Sequence, residues 1–567
     1  MGEVYIAFGS NLREEHRLED LESGVRLVGK LEELSYAASS HLYETRAAYG
    51  SHGDYLNAVV RYSVDRSVCT EIGLSTLLRS LQSIERQVGR TTAQGRNRDR
   101  VLDVDLVSVV VSRSASSVAL DRLASVAAGG KMATTRRFCL HSNGVPVHLD
   151  LPQLQLPHPR AHERRFVLQP LRDLTAQRII RTPDGLWASP SELLLAMADR
   201  DLSDARYSPI KRLWATTKFA YAPQSPCTMG ILNITPDSFS EADPLVASDT
   251  PASQPRVDLV KTEARLRRLH AQHFDVIDVG FESTRPNQPL ISSETELLRL
   301  EAAARLLFHT ATELQKPLSI DTRRPAVFKR ALELAQLCAA AAAAGDSAQS
   351  ENSARREYSA EDTTTDTVKI TEDTRASRHF CGTWNNVTGT QISDEDIKWC
   401  VAQHVTYICA HWEAFDGVTN ARGELCDCPW STAMNESTEM NEPENDNTPQ
   451  PLAVSVMSPH GTPVTVTPPS AILADELAGR TTASPTSVKG RCSIPTPCKH
   501  VTDQIERIRE TLNQFVSRWF RQGGLRWRLV IDPGLGFGID KRVSQALLHT
   551  SQDLFSDHIL LLGFSKK

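Results

Sequence analysis

The sequence predicts two folded units in series, a compact α+β domain followed by an α/β unit on a parallel sheet, and three observations carry this. A length of 567 residues exceeds what one hydrophobic core organises. From residue 4 to about 206, apolar runs alternate with amphipathic stretches: VYIAF, a helical pattern over 18–34, YLNAVVRY, a helix over 74–88, and VLDVDLVSVVV. After proline-rich sequence near 207–226 the pattern changes to short apolar strands separated by helices: TMGILNI, FDVIDVG, PLSIDT, HFCGTW, VTYICA, RLVIDPG and ILLLGFS. Such alternation predicts a parallel βα barrel or a doubly wound sheet. A closed barrel takes eight strands, and the sequence stops directly after the seventh.

Hydrophobic residues at 40%, charged residues at 23% and a net charge of -6 match soluble globular usage and argue against nucleic acid or acidic lipid as a partner. No run approaches the roughly 18 apolar residues of a membrane span. Because MGEVYIAFGSN already reads as a strand, a cytoplasmic location is expected, or a mitochondrial or plastid one if the N-terminus is incomplete. Eleven cysteines without framework spacing fit reduced thiols.

Two stretches of the second unit, 345–377 and 414–500, are rich in Ser, Thr, Asp, Glu and Pro and read as disordered insertions. The second contains Cys426, Cys428, Cys492 and Cys498, whose irregular spacing argues against a zinc site. The long connection over 107–156 reads as a surface insertion.

In the first unit, Asp103 and Asp105 stand two apart on a strand, so their carboxylates share one face about 7 Å apart. Two carboxylates in an apolar strand are costly unless a cation meets them, and magnesium holding nucleotide phosphates is the natural candidate. A DxD pair alone more often marks a strand with one wet face. Here, however, separate segments bring basic residues: Arg90, Arg96, Arg98 and Arg100, and the PHPRAHERRF stretch over 157–166.

FGSNL, YLNA, IE with GR, LDVDL, and PHPR followed by ERRFVLQPL occur in the order found in hydroxymethyldihydropterin pyrophosphokinases, and over about 200 residues the chain resembles that family. The resemblance implies a ferredoxin-like domain over 1–206 that transfers pyrophosphate from ATP to the hydroxymethyl group of 6-hydroxymethyl-7,8-dihydropterin. It implies two Mg²⁺ on Asp103 and Asp105, with Arg90, Arg100, His158 and Arg164 facing the phosphates. Tyr55 and Phe166 would sandwich the pterin, and Thr45, Asn57 and Glu85 would line its polar edge or the adjoining site. RNRDR over 96–100 departs from the family's Gly-Pro before the last arginine.

In the second unit, polar groups end successive strands: GILNITPDSFS, the DVGFESTRP segment, Asp321 of SIDT, Asn385 of TWNN and Asp532 of DPGLGFG. At the C-terminal mouth of a βα barrel these would converge and read a guanidine-like heterocycle edge. A single strand-end Asp is usually a helix cap. These segments, with GFSKK, resemble dihydropteroate synthase. After a linker at 207–225, the resemblance implies a TIM-type barrel over 226–567 lacking its last strand and C-terminally incomplete. Asp321, Asn385, Asp532 and Lys567 would hold the pterin, with Phe537 beside the ring. Asn233 would touch one Mg²⁺ with the pterin pyrophosphate, and Thr284 with Arg285 would meet the pyrophosphate or the amine.

The implied reaction condenses the pterin pyrophosphate with p-aminobenzoate to 7,8-dihydropteroate, and a homodimer through the barrel is implied as well. Phe281, Asn386 and EADPLV over 241–246 depart from the family's usual glycine, aspartate and glycine-rich turn. A pyrophosphokinase carrying a non-catalytic pterin-binding barrel is the competing expectation.

Overall fold

A computed structural model describes the chain except for 48–52, 91–98, 113–143, 222–226, 237–243, 248–254, 284–289, 349–380, 412–452, 457–498, 536–540, 564–567 and a few positions between 199 and 218 and at 556. The first unit is an antiparallel sheet with helices on both faces. Its strands run in the order Phe219–Tyr221, Lys211–Thr216, Leu42–Thr45, Tyr55–Val64, Gly2–Ser10, Asp103–Ser112 and Gly144–Pro146, and Leu34–Ser39 also pairs with Tyr55–Val64.

Strand alternation explains the two layers. Val4, Ile6 and Phe8 face one way and pack with Leu21 and Val25 of the helix Arg17–Val28 and Leu77 and Leu81 of Glu71–Val88. Tyr5, Val59 and Val107 face the other way, onto Val167, Leu168 and Leu171 of the helix Arg165–Arg172. Helix Arg17–Val28 is shorter than its periodicity suggested. The chain turns at Gly29, whose N–H caps the Val25 carbonyl, and re-enters the sheet at Leu34.

The second unit contains all seven expected parallel strands: Cys227–Asn233, Val276–Gly280, Leu318–Asp321, Cys381–Asn386, Thr406–Ala410, Leu529–Asp532 and Ile559–Gly563. Six of them pair in sequence from Cys227–Asn233 to Leu529–Asp532, and Ile559–Gly563 follows. The missing-strand expectation needs correction in one respect. The gap is closed by Ala453–Val456, which lies inside the stretch read as a disordered insertion and pairs antiparallel with both Cys227–Asn233 and Ile559–Gly563. Two open edges present unpaired backbone groups, and an inserted strand satisfies both. The helix Pro325–Ala348 likewise runs into the first residues of the 345–377 insertion; the rest of that insertion and the four cysteines at 426, 428, 492 and 498 lie outside the described residues.

The stretch read as a linker also has structure. Lys211–Thr216 extends the first unit's sheet by pairing with Leu42–Thr45, while its Trp214 packs among Met229, Val276, Ile408, Val530 and Ile559 inside the N-terminal end of the barrel. Thr406 Oγ1 donates to the Ala215 carbonyl beside it. The joint between the units therefore occupies the N-terminal side of the barrel strands, which leaves polar strand ends such as Asp321 and Asp532 at the opposite mouth. Among the described residues no helix is long and apolar enough to cross a membrane.

Candidate functional site

In the first unit, register sets the site. Gly9 pairs with Asn57 on one side and Asp103 on the other, and Ala7 pairs with Asp105. A Cβ on Gly9 would lie 3.3 Å from Asn57 Oδ1, 3.7 Å from Tyr55 and 3.9 Å from Asp103, so glycine keeps the floor open between an amide pocket and the two carboxylates. Asn57 Nδ2 donates to Thr45 Oγ1 at 2.8 Å, which fixes the amide and turns its oxygen toward Gly9.

The cations gather around the aspartates. Arg100 pairs with Asp103, Arg90 lies 3.5 Å from Asp103 and also pairs with Glu85, and Arg164 Nη1 stands 4.0 Å from Asp105 Oδ2. Glu85 is buried and accepts the Val104 N–H at 2.9 Å, so it holds the aspartate strand and aims Arg90 together. The Arg164 guanidinium lies 5.6 Å over the Phe166 ring. Phe166 and Tyr55 are half-buried, as stacking surfaces open to a ligand must be. His158, whose N–H donates to Val107 O, is pushed down to about 4 by burial and by Arg164, so at neutral pH it offers hydrogen bonds without charge.

Desolvation and Asp103 push Asp105 up to about 7. Two carboxylates, one of which raises the proton affinity of its neighbour, are a donor pair a divalent cation stabilises. Among the described residues no set of three or more His, Cys, Asp or Glu stands ready for a metal. Water and phosphate oxygens would complete the sphere, the arrangement magnesium favours.

At the barrel mouth, Asn233, Asp321 and Asp532 end their strands, and Asn385 is the penultimate residue of its own. Gly280 lies between two of them: a Cβ there would sit 2.9 Å from Asn233 Oδ1 and 3.5 Å from Asp321 Oδ2. Asp532 Oδ1 accepts the N–H of Gly534 at 2.8 Å; Gly534 has φ +78° and sits against the His411 carbonyl, a position suited to glycine. Burial pushes Asp532 up to about 6. Thr284, Arg285, Phe537 and Lys567 lie outside the described residues.

Asp278 was missed by the sequence reading. It is buried near Ser319, its Oδ2 accepts from Asn385 Nδ2 at 2.9 Å, and among the described residues its Oδ1 has no hydrogen-bond partner within bonding geometry, as is true of Asp321 Oδ1. Burial and then Asp278 push Asp321 well above the usual carboxylate range. Two buried acceptors without donors are what a ligand edge rich in N–H groups would satisfy. The signal was present in VIDVG, an acid in the middle of an apolar strand. Glu282 is gripped by Arg323 at 2.9 Å and by Arg324 at 2.9 and 3.0 Å, and Arg324 also pairs with Glu296.

Two departures take structural places. Phe281 is fully buried in the core, and Asn386 donates to Tyr407 Oη at 2.9 Å while accepting from Thr388. Of the EADPLV departure, 241–243 lie outside the described residues, while Leu245 and Val246 are buried in the core.

Residues 5–176 match the family model described as 7,8-dihydro-6-hydroxymethylpterin-pyrophosphokinase, and residues 229–339 match the model described as pterin binding enzyme. The chain is 29% identical over 339 residues to the folate synthesis bifunctional protein of Arabidopsis thaliana, covering 56% of this chain and 57% of that one. A mitochondrial protein of the same name from that plant is 29% identical over 343 residues, 58% of this chain and 51% of its own length. The chain thus spans about half the length of the curated relatives it matches. Its fold is shared with the Plasmodium falciparum HPPK-DHPS structure solved with pterin and p-hydroxybenzoate, at TM-score 0.53 and 14% identity, covering all of this chain (100%) and 86% of that one. Residues 5–176 are thus similar to the 7,8-dihydro-6-hydroxymethylpterin-pyrophosphokinases, and residues 229–339, the first part of the barrel, are similar to the pterin binding enzymes.

Proposed function

We propose that the chain catalyses two consecutive steps of folate synthesis. The first unit, read as a ferredoxin-like domain over 1–206, transfers pyrophosphate from ATP to 6-hydroxymethyl-7,8-dihydropterin. The barrel over 226–567 condenses the product with p-aminobenzoate. The observation that carries this reading is the placement of Asp103 and Asp105, with Arg90, Arg100 and Arg164, across Gly9 from Thr45, Tyr55 and Asn57. A phosphate-and-cation side thereby faces a side built for a flat, amide-edged ring.

In the first step the pterin hydroxymethyl oxygen attacks the β-phosphorus of ATP, the bond from that phosphorus to the oxygen bridging to the α-phosphate breaks, and AMP leaves as the hydroxyl proton is lost to water. Asp103 and Asp105 would hold the two Mg²⁺, which neutralise phosphate charge when bound. Arg100 and Arg164 stabilise charge on the transferring group, Arg90 is aimed by Glu85, and neutral His158 donates a hydrogen bond to phosphate oxygen. Tyr55 and Phe166 stack on the pterin, and Asn57 and Thr45 read its edge.

In the second step the methylene carbon loses pyrophosphate, the resulting cation is stabilised by the pterin ring, and the arylamine nitrogen attacks it and then sheds a proton. Asp321, Asn385, Asp532 and Lys567 would hold the pterin beside Phe537, Asn233 would meet one Mg²⁺, and Thr284 with Arg285 would meet pyrophosphate or amine. The orphaned acceptors Asp278 Oδ1 and Asp321 Oδ1 support a ring edge binding here rather than an inert barrel. We also propose association of two barrels into a homodimer. AMP release from ATP, Mg²⁺ and hydroxymethyldihydropterin tests the first step: Asp103→Asn is expected to lower its rate at least about a hundredfold, and an unchanged rate contradicts the assignment.

A further inference from the structure

Asn11 follows directly after the strand Gly2–Ser10 and is buried, 5% exposed. Every polar atom it carries apart from its carbonyl is engaged across the site. Its backbone N–H and that of Leu12 both donate to the Arg100 carbonyl, each at 3.1 Å, and its side-chain Oδ1 accepts the Arg100 N–H at 2.8 Å. Its Nδ2 donates to Asp99 Oδ1 at 2.6 Å and to the Gly53 carbonyl at 3.3 Å. Asn11 therefore holds the Arg100 N–H through its side chain and the Arg100 carbonyl through its backbone, and its side chain also touches the segment that enters the pterin-side strand two residues before Tyr55.

We propose that Asn11 is a positioning residue for pyrophosphoryl transfer, fixing Arg100 relative to Asp103 and to the pterin side; the proposal rests on the first-step reading above. Only a carboxamide supplies a donor and an acceptor in one plane; Asp lacks the donor, and Ser has a single oxygen. An ordinary turn asparagine would serve stability alone. A positioning residue instead acts on the transition state, where small misplacement of a charged group lowers kcat with little effect on substrate affinity.

The test uses the full chain and steady-state AMP release, with wild type, Asn11→Asp, Asp99→Asn, the Asn11→Asp/Asp99→Asn double variant and Asp99→Ala. Wild type must release AMP; if it does not, the first-step reading fails, separately from this proposal. Asn11→Asp sets a carboxylate against Asp99 and is expected to lower kcat about tenfold or more, with KM for ATP and pterin moving less than about threefold. In the double variant the amide introduced at position 99 can donate to the carboxylate introduced at position 11, and kcat should recover to within about threefold of Asp99→Asn alone. Asp99→Ala leaves the bond from Arg100 N–H to Asn11 in place on a half-buried segment; it should still lower kcat, and it decides the matter even if Asn11→Asp does not fold. Unchanged kcat in Asp99→Ala, or no recovery in a folded double variant, overturns the proposal.

Discussion

Glu22 Oε1 accepts a hydrogen bond from Arg528 Nε at 2.7 Å, and both residues are buried although they lie 506 positions apart. Glu22 Oε2 accepts from Arg528 Nη2 at 3.0 Å and meets His404 Nδ1 at 2.8 Å, while Trp527 Nε1 donates to Oε1 at 2.9 Å. A helix of the first unit is thus held by three residues of the second. Arg526 adds bonds to Ser39 and Asp557, and Tyr36 donates to the Gly524 carbonyl at 2.8 Å.

Removing the Glu22 charge takes away the carboxylate that faces the buried Arg528 guanidinium, so Glu22→Gln should cost about 3 kcal/mol at pH 7. Burial pushes Glu22 up, but Arg528 and His404 outweigh it and bring it down to about 2 from 4.5. A lowered pKa contributes stability that is complete above the unfolded value and is lost as pH falls through the folded one. In urea titrations the gap between wild type and Glu22→Gln should be full above pH 5 and shrink between pH 4.5 and about 2. A gap that does not change with pH would show that the ion pair is not what joins the units.

Asp278 should act in part through Asn385. Asp278→Ala is expected to raise the dissociation constant of a 6-hydroxymethylpterin ligand about tenfold, measured by calorimetric titration. In an Asn385→Ala background the same change should cost less, because the amide that Asp278 orients is gone while Asp278 Oδ1 still meets the ring edge. Fully additive effects would separate the two residues.

Asp532 gives the opposite pH signature. Its folded pKa is raised by burial from 3.8 to about 6, so its contribution is most favourable below 3.8 and is lost as pH rises through 6. Asp532→Asn keeps an oxygen for Gly534 N–H and removes the buried charge. The variant should match wild type near pH 4 and be more stable by about 2–3 kcal/mol at pH 7, while binding pterin less tightly. Equal stability at pH 7 would place the carboxylate in contact with water.

The seven parallel strands were legible because each is an apolar run bounded by a polar mouth, and the aspartate pair was legible because a strand fixes which side chains share a face. Ala453–Val456 was not, because four residues inside polar sequence acquire a strand only when two distant edges need pairing. Glu22 looks like any helix charge until Arg528 arrives from the far end of the chain. Lys211–Thr216 reads as a linker because its partners, Leu42–Thr45 on one side and the barrel interior around Trp214 on the other, are set by tertiary structure. Asn11 lay inside a quoted motif, yet its role depends on residues 99 and 100 folding back against it.

Two-step catalysis is tested by a single reaction of the purified chain with ATP, Mg²⁺, hydroxymethyldihydropterin and p-aminobenzoate, with AMP and dihydropteroate quantified together. The expected result is AMP formation that requires the pterin, with dihydropteroate appearing after the pterin pyrophosphate. Absence of pterin-dependent AMP would refute pyrophosphoryl transfer at Asp103 and Asp105, and with it the proposed function.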